Sequence, residues 1–302
     1  MYPIKFLLLP LILAFPHTPA AGENPVPAGI LPFQQSAKGV ALKIKLNDSD
    51  RPLTFLFDTG ADGMAIRKAL ADSLRLPVSH AQEVNIVGGK KTISISTGNT
   101  VHLSDSLQLE GQHIAIFDRI ADVDGIIGLN LLREYVVRFD FGNRQLQLYA
   151  PEGYTPPADP ATTLPVTLHG NLIYIAGLLD LTGKGSGVEG RFLLDTGANY
   201  HLIAFSDFVR RNRLLLSGFK PEGTGSTVSM GHATPVYHGK AHRFSVGDAA
   251  VSMDEMPVTL QASTGNPATP GEDLPDGSVG IRFLSRHNFT ICLHCREVYI
   301  EK

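Results

Sequence analysis

Apolar and polar residues alternate over short stretches of the chain, a pattern that predicts many short β-strands. The clearest examples are residues 40–46, 172–176, 249–253 and 289–293. We predict short helices at residues 67–74, 129–133, 205–214 and 281–285. Ser206 is the candidate N-cap of the third helix, since serine is favoured at that position. The expected fold class is therefore all-β with few short helices.

Two sequence motifs occur in each half of the chain, in the same order. Residues 55–62 read FLFDTGAD and residues 192–199 read FLLDTGAN. Residues 124–132 read DGIIGLNLL and residues 276–284 read DGSVGIRFL, and an apolar strand pattern follows each copy. The second half has about fifteen more residues between its motifs, and its segment 263–275 has the Gly, Pro, Ser and Thr content of a surface loop. An internal repeat of this size indicates two structurally related lobes.

The repeat and the proline content together predict the domain organisation. Residues 150–160 contain four prolines, which suit neither a helix nor the interior of a sheet. A chain of 302 residues is long enough for two domains of ordinary size. We predict a signal peptide at 1–21, an N-terminal lobe at 22–150, a linker at 151–162 and a C-terminal lobe at 163–302.

The first residues have the features of a secretory signal. Lys5 precedes an apolar run over residues 6–15, and small residues suited to cleavage follow at 17–22. A membrane anchor is the alternative, but the run is shorter than the ~20 residues that a spanning helix needs. We expect an exported protein, periplasmic or secreted, with no stable membrane anchor after signal cleavage.

The repeated Asp-Thr-Gly motif places a carboxylate at the end of an apolar strand. A buried carboxylate such as Asp58 is costly unless it is hydrogen-bonded or protonated. Thr59 supplies a hydroxyl for the backbone or a partner loop, and Gly60 permits a tight turn and a close approach of backbone N–H groups. The second half repeats these residue types at Asp195, Thr196 and Gly197.

Two such carboxylates brought together favour acid–base catalysis. They cannot both ionise at little cost, so they share one proton over a range of acid pH. The ionised carboxylate can activate a water molecule while the protonated one hydrogen-bonds a carbonyl oxygen. This chemistry needs no metal and no other cofactor, and we expect none.

Both copies read Asp-Thr-Gly-Ala, and in this the chain resembles the retropepsin and pepsin-like aspartic peptidases. Residues 126–128, Ile-Ile-Gly, match the apolar-apolar-Gly segment of that family, whereas residues 278–280, Ser-Val-Gly, depart from it at Ser278. The resemblance covers about residues 35–150 and 163–302. It implies a bilobal acid-protease fold, in which two retropepsin-like β-barrel lobes are related by a pseudo-two-fold axis.

The same resemblance suggests residues that contact substrate. The family has a hairpin flap over its cleft, and residues 86–93, with Gly88 and Gly89 at the tip, are the candidate; an ordinary turn is an equal alternative. Asp62 and Asn199 directly follow the two motifs. Either they bind the backbone of the substrate or of the partner lobe, or they cap the turn.

Other polar clusters favour no separate chemistry. Cys292 and Cys295 form either a small local disulfide or two inert thiols, because a second pair of zinc ligands is missing. The histidines at 232, 238 and 242 fit no familiar metal pattern, and the glycine-rich residues 183–187 suit a hairpin turn better than a phosphate loop. A net charge of −3 without a basic tract argues against nucleic-acid binding.

The leading hypothesis is an aspartic endopeptidase that hydrolyses extended polypeptides, with Asp58 and Asp195 as the catalytic pair. A non-catalytic scaffold that binds a peptide or another partner is the alternative. We expect a monomer with an internal pseudo-dimer. A dimer of two-lobed subunits, with the two aspartates in separate sites, stays open.

Overall fold

The computed structural model describes residues 25–36, 39–86, 89–120, 122–185, 187–229, 232–262 and 274–302. Within these ranges the chain is built mainly of strands with few short helices, as the alternation predicts. The predicted signal peptide, Gly88 and most of the predicted surface loop at 263–275 lie outside the described residues. No helix in the described ranges is long and apolar enough to cross a membrane.

Ten strands and two helices lie in the first half of the described chain. The strands are β1 (Gly29–Ser36), β2 (Gly39–Leu46), β3 (Leu53–Phe57), β4 (Met64–Arg67), β5 (His80–Ile86), β6 (Gly89–His102), β7 (Gln108–Phe117), β8 (Gly125–Ile127), β9 (Val136–Asp140) and β10 (Gln145–Tyr149). The helices are α1 (Lys68–Ser73) and α2 (Asn130–Glu134). Residues 150–161 then contain no strand or helix.

Eleven strands, two helices and one 3-10 turn (Leu214–Leu216) lie in the second half of the described chain. The strands are β11 (Thr162–Pro165), β12 (Thr167–His169), β13 (Leu172–Asp180), β14 (Val188–Asp195), β15 (Leu202–Ala204), β16 (Gly223–Ser229), β17 (His232–Val246), β18 (Val251–Gln261), β19 (Gly277–Gly280), β20 (Phe289–Cys292) and β21 (Glu297–Ile300). The helices are α3 (Ser206–Arg211) and α4 (Ile281–Leu284).

The two halves have the same strand order, as the sequence repeat implies. In the first lobe the order is β2-β3-β8-β4-β7-β6-β5, with an extra pairing of β2 and β6. In the second lobe the corresponding order is β13-β14-β19-β15-β18-β17-β16, with an extra pairing of β13 and β17. The extra pairing curls each sheet back on itself, so each lobe forms a barrel-like sheet.

A six-stranded sheet joins the lobes. Its order is β11-β21-β20-β9-β10-β1, and β20 of the second half pairs with β9 of the first. Phe57, Phe139 and Phe289 stack across this junction, with ring centroids 5.4 Å and 4.5 Å apart. All three rings are buried. Since Phe57 directly precedes Asp58, this stack supports the end of the first Asp-Thr-Gly strand.

Three sequence-based boundaries differ from the structure. The prediction of Ser206 as an N-cap was wrong: α3 begins at Ser206 itself, with Phe205 at the N-cap, and the Ser206 hydroxyl donates to the carbonyl of Ala262 at 2.9 Å. The strand predicted at 249–253 begins at Val251, because Asp248 and Ala249 have positive φ angles of 54° and 66° in a turn. The helix predicted at 205–214 ends at Arg211 and is followed by the 3-10 turn.

An ion pair between the lobes contributes to stability. Arg138 on β9 donates from Nε and Nη2 to the two carboxylate oxygens of Glu301, at 2.5 and 2.8 Å. Their side chains are 21% and 26% exposed. Arg138→Met should lower the free energy of unfolding by about 1–3 kcal/mol, because it leaves Glu301 without its two charged hydrogen bonds and the buried Asp140 without the one that Arg138 Nη1 donates at 3.0 Å.

Urea denaturation of wild type and variant measures this loss. Arg243→Met is the matched control, since Arg243 and Asp254 form a two-bond ion pair whose side chains are 48% and 60% exposed. Solvent screens that pair, so its loss should change the stability little. An equal effect of the two substitutions would contradict the role given to Arg138.

Candidate active site

The two Asp-Thr-Gly motifs occupy equivalent positions at the ends of strands. Asp58 follows β3, which runs parallel to β8, and Asp195 is the last residue of β14, which runs parallel to β19. Directly after β8 and after β19 the chain passes beneath the loop that follows the aspartate. There the Leu129 N–H donates to the carbonyl of Ala61 at 3.0 Å, and the Ile281 N–H donates to that of Ala198 at 2.9 Å. Each aspartate is thus placed by one buried strand and one crossing segment.

The threonines of the two motifs hydrogen-bond each other's loops. The Thr59 hydroxyl donates to the carbonyl of Leu194 at 2.5 Å and accepts from the Thr196 N–H at 3.0 Å. The Thr196 hydroxyl donates to the carbonyl of Phe57 at 2.7 Å and accepts from the Thr59 N–H at 3.1 Å. Both threonines have no exposed surface. Four buried bonds therefore lock the two loops together across the pseudo-two-fold axis.

The glycines of the motifs leave room for the two carboxylates. A β-carbon at Gly60 would lie 3.1 Å from Oδ1 of Asp58 and 3.2 Å from Oδ1 of Asp195. A β-carbon at Gly197 would lie 2.3 Å from Cγ of Asp58, closer than atoms can approach. Both carboxylates therefore converge on the same small volume between the loops. We call Asp58 and Asp195 the dyad.

The environment of the dyad favours its protonated form. Burial and the neighbouring Asp195 carboxylate raise the pKa of Asp58 to about 8, against the opposing effect of the Gly60 N–H, which donates to Asp58 Oδ1 at 2.8 Å. Burial also raises the pKa of Asp195, and its hydrogen bonds oppose that rise. The pair consequently retains one shared proton well above the ordinary range of a carboxyl group.

Two hydroxyl groups that sequence reasoning did not assign to the site contact the dyad. The hydroxyls of Tyr200 and Ser278 lie 3.1 Å and 3.2 Å from Oδ2 of Asp195. The signal for Ser278 was its departure from the apolar-apolar-Gly pattern of the first lobe. Tyr200 gave no such signal, because it lies outside the repeated motif.

The candidate substrate-binding residues Asp62 and Asn199 have protein partners. Asp62 accepts hydrogen bonds from the Arg133 guanidinium and, at 3.1 Å, from the side-chain amide of Asn171 in the other lobe. Asn199 accepts from Nε of Arg282 at 2.9 Å. Among the described residues, Asp62 therefore contacts the partner lobe through the Asn171 side chain and not through the backbone of that lobe, and substrate contact for both residues stays a prediction.

The candidate flap is a β-hairpin as far as the structure describes it. β5 and β6 pair antiparallel up to Ile86 and Gly89, so Gly89 begins the second arm. Gly88 lies outside the described residues. Substrate binding by the two glycines stays a prediction.

The remaining candidates belong to the scaffold. Cys292 and Cys295 form a disulfide at the turn after β20, which resolves the choice between a disulfide and free thiols. Nδ1 of His238 lies 3.1 Å from the Thr259 hydroxyl, and the side chain of His232 lies outside the description. Among the described residues, no three His, Cys, Asp or Glu side chains cluster in a way that could hold a metal ion.

Comparisons with known proteins agree with this geometry. A family model described as Aspartyl protease matches residues 42–131, a segment that contains Asp58. The fold is similar to that of an aspartic proteinase from Irpex lacteus, with a TM-score of 0.56 and 16% sequence identity over 91% of this chain and 97% of that chain. Among curated protein sequences, none matches this chain.

These findings define the class of fold. The chain has the bilobal fold of the pepsin-like aspartic peptidases, with two barrel-like lobes that each contribute one Asp-Thr-Gly loop. Together with the family match, this fold supports an aspartic protease function in general terms.

Proposed function

We propose that this protein is an aspartic endopeptidase that hydrolyses peptide bonds of extended polypeptides through a water molecule activated between Asp58 and Asp195. The observation that carries the proposal is the convergence of two buried carboxylates between interlocked Asp-Thr-Gly loops. Buried carboxylates are costly for a purely structural site, and their raised pKa values suit an acid and a base that exchange one proton.

The proposal includes an exported location, periplasmic or secreted, and a monomer with one internal site. The two loops meet within one chain, so no second subunit is needed to complete the dyad. N-terminal sequencing of the mature protein should find a start near residue 22, and gel filtration should find a monomer. A mature protein that retains residue 1 would contradict signal cleavage, and a stable dimer would contradict the monomeric state.

The direct test is cleavage of a reduced, alkylated and therefore unfolded protein by the purified chain. Peptide products identified by mass spectrometry would show internal cleavage and begin to define the preferred bond. The Asp58→Asn/Asp195→Asn double variant is the control for contaminating peptidases. Inhibition by pepstatin would add support. A folded wild type that yields no products at any pH would instead favour the non-catalytic scaffold that binds a peptide or another partner.

The pH dependence of cleavage follows from the shared proton. The active form has one proton on the dyad, so activity should fall at low pH, where both carboxyls are protonated, and at high pH, where both are ionised. Because the pKa of Asp58 is raised to about 8, we expect cleavage to persist to neutral pH and to decline near pH 8. Measurements of kcat/KM over pH 3–9 check this. Complete loss of activity by pH 6 would contradict the raised pKa.

A further inference from the structure

The two carboxylates of the dyad have different surroundings. Oδ2 of Asp195 has two hydroxyl groups within hydrogen-bond distance, from Tyr200 at 3.1 Å and from Ser278 at 3.2 Å, and its Oδ1 accepts the Gly197 N–H at 3.1 Å. Asp58 accepts the Gly60 N–H at 2.8 Å. The backbone contacts are therefore symmetric, while the hydroxyl contacts seen among the described residues belong to Asp195.

The internal repeat shows why the first lobe does not reproduce these contacts. Tyr200 lies five residues after Asp195, and the residue five positions after Asp58 is Gly63. Ser278 pairs with Leu193 in the parallel ladder, where the first lobe pairs Ile126 with Leu56. Glycine and isoleucine carry no side-chain donor. The two lobes thus differ at both sequence positions from which the second lobe presents a hydroxyl to Oδ2 of its aspartate.

Both hydroxyl groups are held in place by the backbone. Ser278 lies within β19 and is 1% exposed. The carbonyl of Tyr200 accepts the Arg282 N–H at 3.1 Å, which anchors the residue that presents the phenol. Burial and the nearby Asp195 carboxylate raise the pKa of Tyr200 well above its ordinary value, so the phenol remains a donor at any pH at which the protein would be assayed.

Two donors on one oxygen favour an ionised carboxylate. An oxygen that carries the proton can donate to only one of two hydroxyls and accepts poorly from the other, whereas an ionised oxygen accepts from both. The titratable groups that face the Asp195 carboxyl are Asp58 across the axis and Tyr200 on its own loop. Since Tyr200 stays neutral, the position of the shared proton depends on which of the two carboxylates binds it more strongly.

We propose, building on the endopeptidase function above, that Tyr200 and Ser278 are positioning residues that make Asp195 the ionised base of the dyad and Asp58 its acid. In the first step the water oxygen bonds to the carbonyl carbon, its proton passes to Asp195, and the Asp58 proton passes to the carbonyl oxygen. In the second step the C–N bond breaks, Asp195 gives its proton to the leaving nitrogen, and Asp58 recovers a proton from the diol. One water is consumed and both aspartates return to their starting states.

The kinetic test compares Tyr200→Phe, Ser278→Ala and the double variant with wild type. Loss of a hydroxyl that stabilises the ionised base should move the acid limb of the kcat/KM profile upward by about one pH unit, because a hydrogen bond to a charged group is worth roughly that much. The kcat should fall roughly tenfold with little change in KM. Tyr149→Phe is the matched control. It removes a tyrosine hydroxyl that lies on β10 of the interlobe sheet and donates to the Gln147 side chain at 2.6 Å. The pH profile of kcat/KM should stay unchanged in this variant.

A spectroscopic test is independent of cleavage. Carbon-13 NMR of labelled aspartate carboxyls, with signals assigned from Asp58→Asn and Asp195→Asn, reports which carboxyl is ionised in the singly protonated dyad. We expect Asp195 to be ionised in wild type and the proton to be shared more evenly in the double hydroxyl variant. An unchanged acid limb, or a proton on Asp195 in wild type, would overturn the inference even if the protein cleaves peptides. An ionised Asp195 in a protein that never cleaves would refute the endopeptidase function and leave the hydroxyl effect standing.

Discussion

Asp58→Asn and Asp195→Asn should each reduce peptide cleavage by at least about a thousandfold, to the level of the double variant. Residues that act as one catalytic unit are strongly non-additive, and an amide can neither supply nor accept the proton that the dyad exchanges. Both aspartates lie between the same two interlocked loops, so one site should depend on both. Initial rates on the unfolded protein substrate, with product detection by mass spectrometry, measure the effect.

The stability of these variants provides the control for folding. A carboxyl group whose pKa is raised in the folded state contributes most to stability below its unfolded pKa and loses that contribution as the pH rises toward the folded pKa. Burial raises both pKa values of the dyad. At pH 7 each asparagine variant should therefore melt at the same temperature as wild type or higher. If one single variant kept substantial cleavage, the aspartates would have to act in separate sites.

Thr59→Val should lower the free energy of unfolding by roughly 2–6 kcal/mol. The substitution retains the shape of the side chain and leaves the Thr196 N–H and the Leu194 carbonyl buried without partners, each at a cost of about 1–3 kcal/mol. Thr196→Val should act similarly through the Thr59 N–H and the Phe57 carbonyl. Since these bonds align the two loops, cleavage should also fall. Urea denaturation at pH 5, followed by circular dichroism, measures the stability.

Thr59→Ser is the matched control for this experiment. Serine retains the hydroxyl and loses one methyl group, which costs about 1 kcal/mol in a buried position. A threonine-to-valine loss no larger than this would show that the hydroxyl bonds are dispensable. Equal losses for valine and serine would show that the two hydroxyl bonds contribute no more than one buried methyl group.

Much of the architecture could be predicted from the amino-acid sequence. The Asp-Thr-Gly and Asp-Gly motifs recur in the same sequence context, and the structure builds the same strand order around both copies. Alternation located β2, β13 and β20, because the period of two is a property of neighbouring residues, whereas many of the other strands were not predicted. The start of the strand near Ala249 was missed, since a turn with positive φ is not encoded in the apolar pattern.

By itself, the sequence determined that the chain has two related lobes and that Asp58 and Asp195 follow equivalent buried strands. Only the tertiary structure decided that Thr59 and Thr196 bond each other's loops across 137 positions, and that Ser278 reaches Asp195 across 83. It also decided that Tyr200, outside every motif, contacts the dyad. The physical reason is that the hydrophobic pattern of a sequence reflects the periodicity of local secondary structure. The contacts that distinguish one carboxylate from the other depend on how distant strands are brought together.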